Sequence, residues 1–222
     1  MTQTPKTYTQ SLCVFCGSSS GNHPRYVKLA SELGQNIAQN GYRLVYGGGA
    51  LGLMGAVSKA AHEMGGEVLG IMPDFLKGSE GIYEDVPHRI VPDMHTRKKQ
   101  MYDEADGFII LPGGIGTLEE AVEIMSWMRL DLHEKPIIFL DNDDYWTPMI
   151  SLLDHIIKTG FSPAWMKKRI FSADSSQAAI NLARACLDTS THEKSKLNLK
   201  TDQMEDQACV LPLSKFAQIA SR

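Results

Sequence analysis

The 222-residue sequence predicts an α/β fold, a doubly wound and mostly parallel sheet with helices on both faces. Three observations carry that expectation. Short continuous apolar runs such as "SLCVF" and "YRLVY" alternate with longer stretches of helical periodicity, as buried parallel strands joined by crossover helices require. Three strand-to-helix turns are unusually small: "CGSSSG" (16–21), "YGGGALGLMG" (46–55) and "LPGGIGT" (111–117). Hydrophobic residues make up 43% of the chain, enough for one domain with a substantial core.

Taken in order, "SLCVF" (11–15) reads as a buried strand, followed by a helix over 23–40 that Gly41 stops. A second strand (42–46) leads to a helix over 53–65, and a third strand spans 67–73. Residues 74–87 lack regular patterning and predict a loop; "HRIV" (88–91) fits a short strand. A helix over 93–105 begins at Asp93, a suitable N-cap. Strand 107–111, helix 116–130, strand 136–140, helix 145–159, a short strand near 169–172 and helix 174–187 complete the pattern. This gives a domain over 11–187 after an N-terminal extension (1–10). The polar tail 188–222 has little periodicity and is expected to be poorly ordered, although "ACVLPLSKFAQIA" (208–220) could dock on a partner subunit.

Composition narrows the function classes. A net charge of −4 gives no general attraction for nucleic acid or membrane surfaces. No apolar run approaches the roughly 18 residues of a membrane helix, and the first ten residues contain no signal core, so a soluble cytoplasmic protein is expected. Cys13 and Cys16 form a single CxxC, while Cys186 and Cys209 stand alone. No second pair completes a zinc set. The CxxC is either a redox pair or, the favoured reading, two small apolar groups on or just after a buried strand. None of the seven histidines has HxxxH spacing, and neither metal nor cofactor is expected.

The turns carry the chemistry. Glycine lets backbone N–H groups approach a ligand, and a helix N-terminus adds unpaired donors and partial positive charge. Together they suit an anion, most often phosphate. Gly17, Ser18, Gly47, Gly48 and Gly49 are candidate nucleotide-loop residues. No Gly-Lys-Ser/Thr follows any turn, so triphosphate cleavage is not indicated. "GGGALG" (47–52) matches G-x-G-x-x-G, with Asp74 beyond the next strand, which leaves a dinucleotide site open. Three such turns side by side favour a smaller phosphate-bearing nucleotide.

Charged residues flank these turns. On the helix after "PGG", Leu118, Ala121, Val122, Met125 and Met128 form the expected apolar arc, with Glu119, Glu123 and Ser126 opposite. Glu120 falls at the border, beside Ile124 and Trp127. Partial desolvation there would raise its pKa, and the helix N-terminus would lower it. The two glutamates could otherwise simply complement the helix dipole. In "DMHTRKKQM" (93–101), Met94 and Met101 share a stripe flanked by Arg97 and Lys98. A basic run is often just solvated, but an arginine beside a packed stripe can grip a phosphate or ribose oxygen. His95 suits a capping or structural role better than catalysis.

"PGGIGTLEE" (112–120) fits P-G-G-x-G-T-x-x-E, and "MHTRKKQM" (94–101) fits M-H-x-R-K-x-x-M. In these motifs and their order the chain resembles the Lonely Guy (LOG) family of cytokinin riboside 5′-monophosphate phosphoribohydrolases, long labelled lysine decarboxylases. The resemblance covers about residues 10–187. It implies a Rossmann-like fold, a homodimer or higher homo-oligomer, and hydrolysis of the N-glycosidic bond of N6-modified or plain AMP. Arg97 and Glu120 match the family's catalytic positions. Gly113, Gly114, Ile115, Gly116 and Thr117, with Lys98 and Glu119, match its substrate-binding positions. A glutamate before the MHxRK motif also contacts substrate in the family; Glu80 is the candidate, with Glu84 as the alternative. A non-catalytic nucleotide-binding protein on the same scaffold is the second functional class. A pyridoxal-dependent decarboxylase would need a Schiff-base lysine, for which Lys98 and Lys99 are available.

Overall fold

The structure, a computed structural model, describes residues 10–188. Most of the N-terminal extension and the tail, including the 208–220 segment, lie outside the described residues. The first strand, β1 (Ser11–Phe15), is wholly buried and alternates its side chains between two cores. Leu12 and Val14 face one, Cys13 and Phe15 the other. Helix α1 (Pro24–Gln39) starts with Pro24 in its first turn and His23 as N-cap, the imidazole accepting from the Arg25 amide. Strand β2 (Arg43–Tyr46), helix α2 (Gly52–Glu63) and strand β3 (Val68–Pro73) follow.

Residues 74–87, expected as a loop, contain a 3₁₀ turn at Asp74–Leu76 and a four-residue helix, α3 (Lys77–Glu80). Local bonds explain the departure. Lys77 pairs with Asp74 at 2.6 Å, and the Ser79 hydroxyl donates to the Leu76 carbonyl. Gly81, at φ 67°, ends the helix. Such side-chain closures leave no hydrophobic periodicity to read.

Strand β4 (His88–Val91) leads into α4 (Met94–Glu104), capped by Asp93 as expected, its carboxylate accepting from the Thr96 amide at 2.8 Å. Then come β5 (Gly107–Ile110), α5 (Ile115–Arg129), β6 (Ile137–Leu140), α6 (Thr147–Lys158), β7 (Ile170–Ala173) and a last described helix, α7, over 176–188. Helix α6 starts two residues later than the sequence suggests. Asp141 accepts from the Trp146 amide and the Thr147 hydroxyl, which closes a 3₁₀ turn at Asn142–Asp144 ahead of it.

Among the described residues the seven strands form one parallel sheet in the order β4-β3-β2-β1-β5-β6-β7. Helices α1, α2 and α7 bury their apolar sides on one face, and α4, α5 and α6 pack on the other. The doubly wound α/β expectation therefore holds. Strand order reverses between β1 and β5, and ligands of such sheets bind beyond the carboxyl ends of the strands at that reversal. The turns after β1 and β5 meet there: the Gly17 amide donates to the Pro112 carbonyl at 3.1 Å. No described helix is long and apolar enough to cross a membrane.

Candidate active site

Helix α5 begins at Ile115, and its N-cap, Gly114, has no side chain to satisfy the first-turn amides. The first turn also holds no acidic residue, so its positive end is uncompensated. Gly114 and Gly116 face open space, where even an added Cβ would meet nothing within 4 Å. Gly113 has the opposite surroundings: a Cβ there would collide with the Thr117 hydroxyl. The chain thus turns tightly under Thr117 and opens at Gly114, Ile115 and Gly116. This is the arrangement a dianionic phosphate needs.

Beside this turn lies a cleft of about 230 Å³ lined by Gly17, Ser18, Glu80, Arg97, Gly114, Ile115, Gly116, Thr117 and Glu120, with Cys16 and Met54 below. An adjoining cleft of about 280 Å³ shares Gly17, Ser18 and Gly114 and extends along Ser19–Gly21 to Tyr26 and Tyr145. Gly113 lines the second cleft, and the Tyr145 hydroxyl holds its carbonyl at 2.6 Å.

Glu120 and Arg97 sit at the inner end. Both are buried, at 7% and 6% exposure, and the Arg97 Nη1 lies 3.4 Å from the Glu120 Oε1. The position of Glu120 corrects the border placement read from the helical wheel. The buried side of α5 is Thr117, Glu120, Ala121, Ile124, Met125 and Met128, whereas Val122 is 46% exposed. The arc is rotated: Val122, read as inward, lies outward, and Glu120, read at the border, lies inward. The balance left open by the sequence now has an answer. Burial pushes the Glu120 carboxyl from 4.5 up to about 7, and the Arg97 charge only partly opposes it. A carboxyl poised there can hold or release a proton at neutral pH.

Arg97 is fixed from behind. Its Nε donates to the Ile71 carbonyl at 3.2 Å and its Nη2 to the Gly47 carbonyl at 3.1 Å, which leaves Nη1 directed at Glu120. Gly47 has to be glycine for this, because a Cβ would collide with the guanidinium. Gly47, Gly48 and Gly49 therefore do not line the cleft. Their turn supports side chains that do.

Glu80 enters the cleft from the end of α3, and its Oε2 is buried without a hydrogen-bond partner among the described residues. Glu84 is exposed and takes no part in the cleft. Lys98 and Glu119 lie together outside the lining: the Lys98 Nζ contacts Glu119 at 2.5 Å and Glu123 at 3.2 Å. Lys99 is tied to Asp103 on the outer side of α4. Neither lysine is presented to the cleft as a Schiff-base donor. His95 is exposed next to the Asp93 cap. Cys13 and Cys16 fall in cores on opposite faces of the sheet as free thiols, which fits small apolar groups and not a redox pair. Sequence reasoning named Gly17, Ser18, Gly113 and Gly114 of the adjoining cleft but missed Tyr26 and Tyr145. Tyr26 lies in the first turn of α1 and Tyr145 just before α6, far apart in the chain, and no motif joins them.

A family model described as "possible lysine decarboxylase" matches residues 54–183, more than half of the chain. A cytokinin riboside 5′-monophosphate phosphoribohydrolase of Arabidopsis thaliana is 41% identical over 176 residues, covering 79% of this chain and 81% of that protein. One of Oryza sativa subsp. japonica is 41% identical over 170 residues, covering 76% and 70%. Among solved structures, the Moco carrier protein of Chlamydomonas reinhardtii superposes with a TM-score of 0.62 at 22% identity, covering 81% of this chain and 98% of that one, a likeness of fold alone. With both motifs seated at one cleft and these identities over most of its length, the chain belongs to the LOG family of phosphoribohydrolases.

Proposed function

We propose that the protein hydrolyses the N-glycosidic bond of an N6-modified adenosine 5′-monophosphate, releasing the free base and ribose 5-phosphate. The relatives named above carry this activity in their names. The observation that carries the reading here is the buried Arg97–Glu120 pair opening beside an uncapped helix N-terminus.

The residues divide the work as follows. The amides of Ile115, Gly116 and Thr117, with the Thr117 hydroxyl, hold the 5′-phosphate. Gly17, Ser18 and Gly114 let the nucleotide lie close to the sheet. Glu80, with one unpaired carboxylate oxygen, accepts from a ribose hydroxyl. As the C1′–N bond breaks, the ribose gains oxocarbenium character. The Glu120 carboxylate stabilises that cation and accepts a proton from the water whose oxygen bonds to C1′. That proton leaves with the departing base, which restores the carboxylate. Arg97 favours the ionised form of Glu120 and orients it. Lys98 and Glu119 act through their charges on Glu120, the first favouring its ionised form and the second opposing it. The phosphate grip contributes mainly orientation.

Incubating the purified protein with isopentenyl-AMP and with AMP, and measuring free base and ribose 5-phosphate, tests the reading. Release from either substrate is expected, and the ratio of kcat/KM values gives the base preference. Binding without release from both would make the protein a nucleotide-binding module. We further propose a cytoplasmic homodimer; light scattering of the purified chain checks the assembly.

A further inference from the structure

Three residues on neighbouring strands form a row that the cleft does not contain. In the sheet register Tyr46 of β2 pairs with Gly70 of β3, and Gly70 pairs with His88 of β4. The middle position has no side chain, so the His88 ring lies across it. A Cβ on Gly70 would stand 2.5 Å from the His88 Cδ2 and 3.0 Å from the Gly48 Cα. The ring reaches over to place Nε2 3.2 Å from the Tyr46 hydroxyl and 3.0 Å from the Gly48 carbonyl, while Nδ1 lies 2.8 Å from the Val86 carbonyl. Tyr46 is fully buried.

Gly48 belongs to the turn that carries the reactive pair's support. Gly47, one residue earlier, gives its carbonyl to Arg97; Ala50, two residues later, gives its amide to the Glu80 carbonyl at 3.0 Å. Gly48 itself has φ 86°, and its turn is crowded by Met72 and His88. The segment 47–50 therefore joins His88, Arg97 and Glu80 within four residues.

We propose that His88 is a positioning residue: with its ring proton on Nε2 it donates to the Gly48 carbonyl from β4, across the bare backbone of Gly70, and so fixes the turn that aims Arg97 and Glu80 into the cleft. The proposal rests on the phosphoribohydrolase reading for its kinetic readout, but not for its structural one. His88 touches neither clefts nor phosphate turn, so its effect falls on the chemical step and leaves phosphate binding alone.

The test uses the full chain with His88→Leu, His88→Gln and Tyr46→Phe. Leu removes the bond to Gly48, Gln can restore it through its side-chain amide, and Phe leaves it in place. His88→Leu should lower kcat by about 10- to 100-fold, the scale of a small misplacement of catalytic groups. Its affinity for inorganic phosphate, which engages only the 114–117 turn, should stay at the wild-type value when measured by calorimetry. His88→Gln should recover most of the loss, and Tyr46→Phe should lose less than His88→Leu. Amide hydrogen exchange at Ala50 should speed up in His88→Leu, with exchange at 115–118 unchanged. Wild-type kcat in His88→Leu, or a loss of phosphate affinity equal to the loss of kcat, overturns the proposal. If the wild-type protein hydrolyses no nucleoside monophosphate, the function reading fails by itself, and the exchange at Ala50 alone decides the role of His88. Unchanged exchange there would refute it.

Discussion

Two glycine-rich turns of this molecule look alike in sequence and do opposite things. The turn after β2, Gly47–Gly49, faces protein: a Cβ at each position would run into Arg97, Met72 or Met54. The turn after β5 is crowded only at Gly113, and at Gly114 and Gly116 it faces nothing. The first uses its carbonyls, to hold Arg97 and His88. The second exposes amides at an uncapped helix start. Glycine announces that something comes close to the backbone. Whether the visitor is a side chain or a ligand depends on what the neighbouring elements deliver to that spot.

That contrast can be broken by experiment. The largest effect belongs to the group both turns serve. Glu120→Gln should lower kcat by about 10²–10⁴, the usual worth of a positioned general base, while ribose 5-phosphate still binds. A wild-type rate in this variant removes Glu120 from the mechanism. Next, Gly47→Ala and Gly114→Ala separate the turns. The first should reduce kcat by about 10², because Arg97 is displaced. The second should raise KM and spare kcat. Equal kinetic signatures in steady-state assays would mean that the turns do not divide the labour.

The pH dependence comes third. Because Glu120 binds its proton more tightly in the fold, at about 7 against an ordinary 4.5, the folded state holds the extra proton between those values. Stability falls as pH rises through this window, by about 3 kcal/mol when complete, and the full cost is present above 7. Denaturant titrations should show that slope in the wild type and lose most of it in Glu120→Gln. In the same range kcat/KM should climb with an acidic limb near 7 as the carboxylate forms. A limb near 4.5 would place Glu120 in contact with water. The smallest effect is expected at Gly116→Ala. The helix gains at most about 1 kcal/mol, readable as a raised Tm, while the added methyl crowds the phosphate and raises KM.

The sequence made the order of strands and helices readable, because buried parallel strands and their caps leave local marks. Asp93 is an example at a helix start. It made the cleft's ends readable through two motifs. The rotation of α5 was not readable, since a wheel sorts residues by polarity and Glu120 is a charged residue on the buried side. Functional residues are where such sorting is expected to fail. The pairing of Tyr46 with Gly70 and His88 was also hidden, because lateral register across three strands has no trace in any one segment. Nor could spacing show that Lys98 is occupied by Glu119 and Glu123 on the neighbouring helix.

The anchoring of Arg97 to two main-chain oxygens, one from β3 and one from the turn beyond β2, makes its charge a fixture of the sheet. A tethered cation of this kind cannot swing out to greet an incoming anion and escort it home. The nucleotide has to travel to the charge, and a shorter or single-pronged cation could not span the same two moorings and still face the acid. Discrimination between guests is then a matter of which ones fit around a charge moored to the main chain.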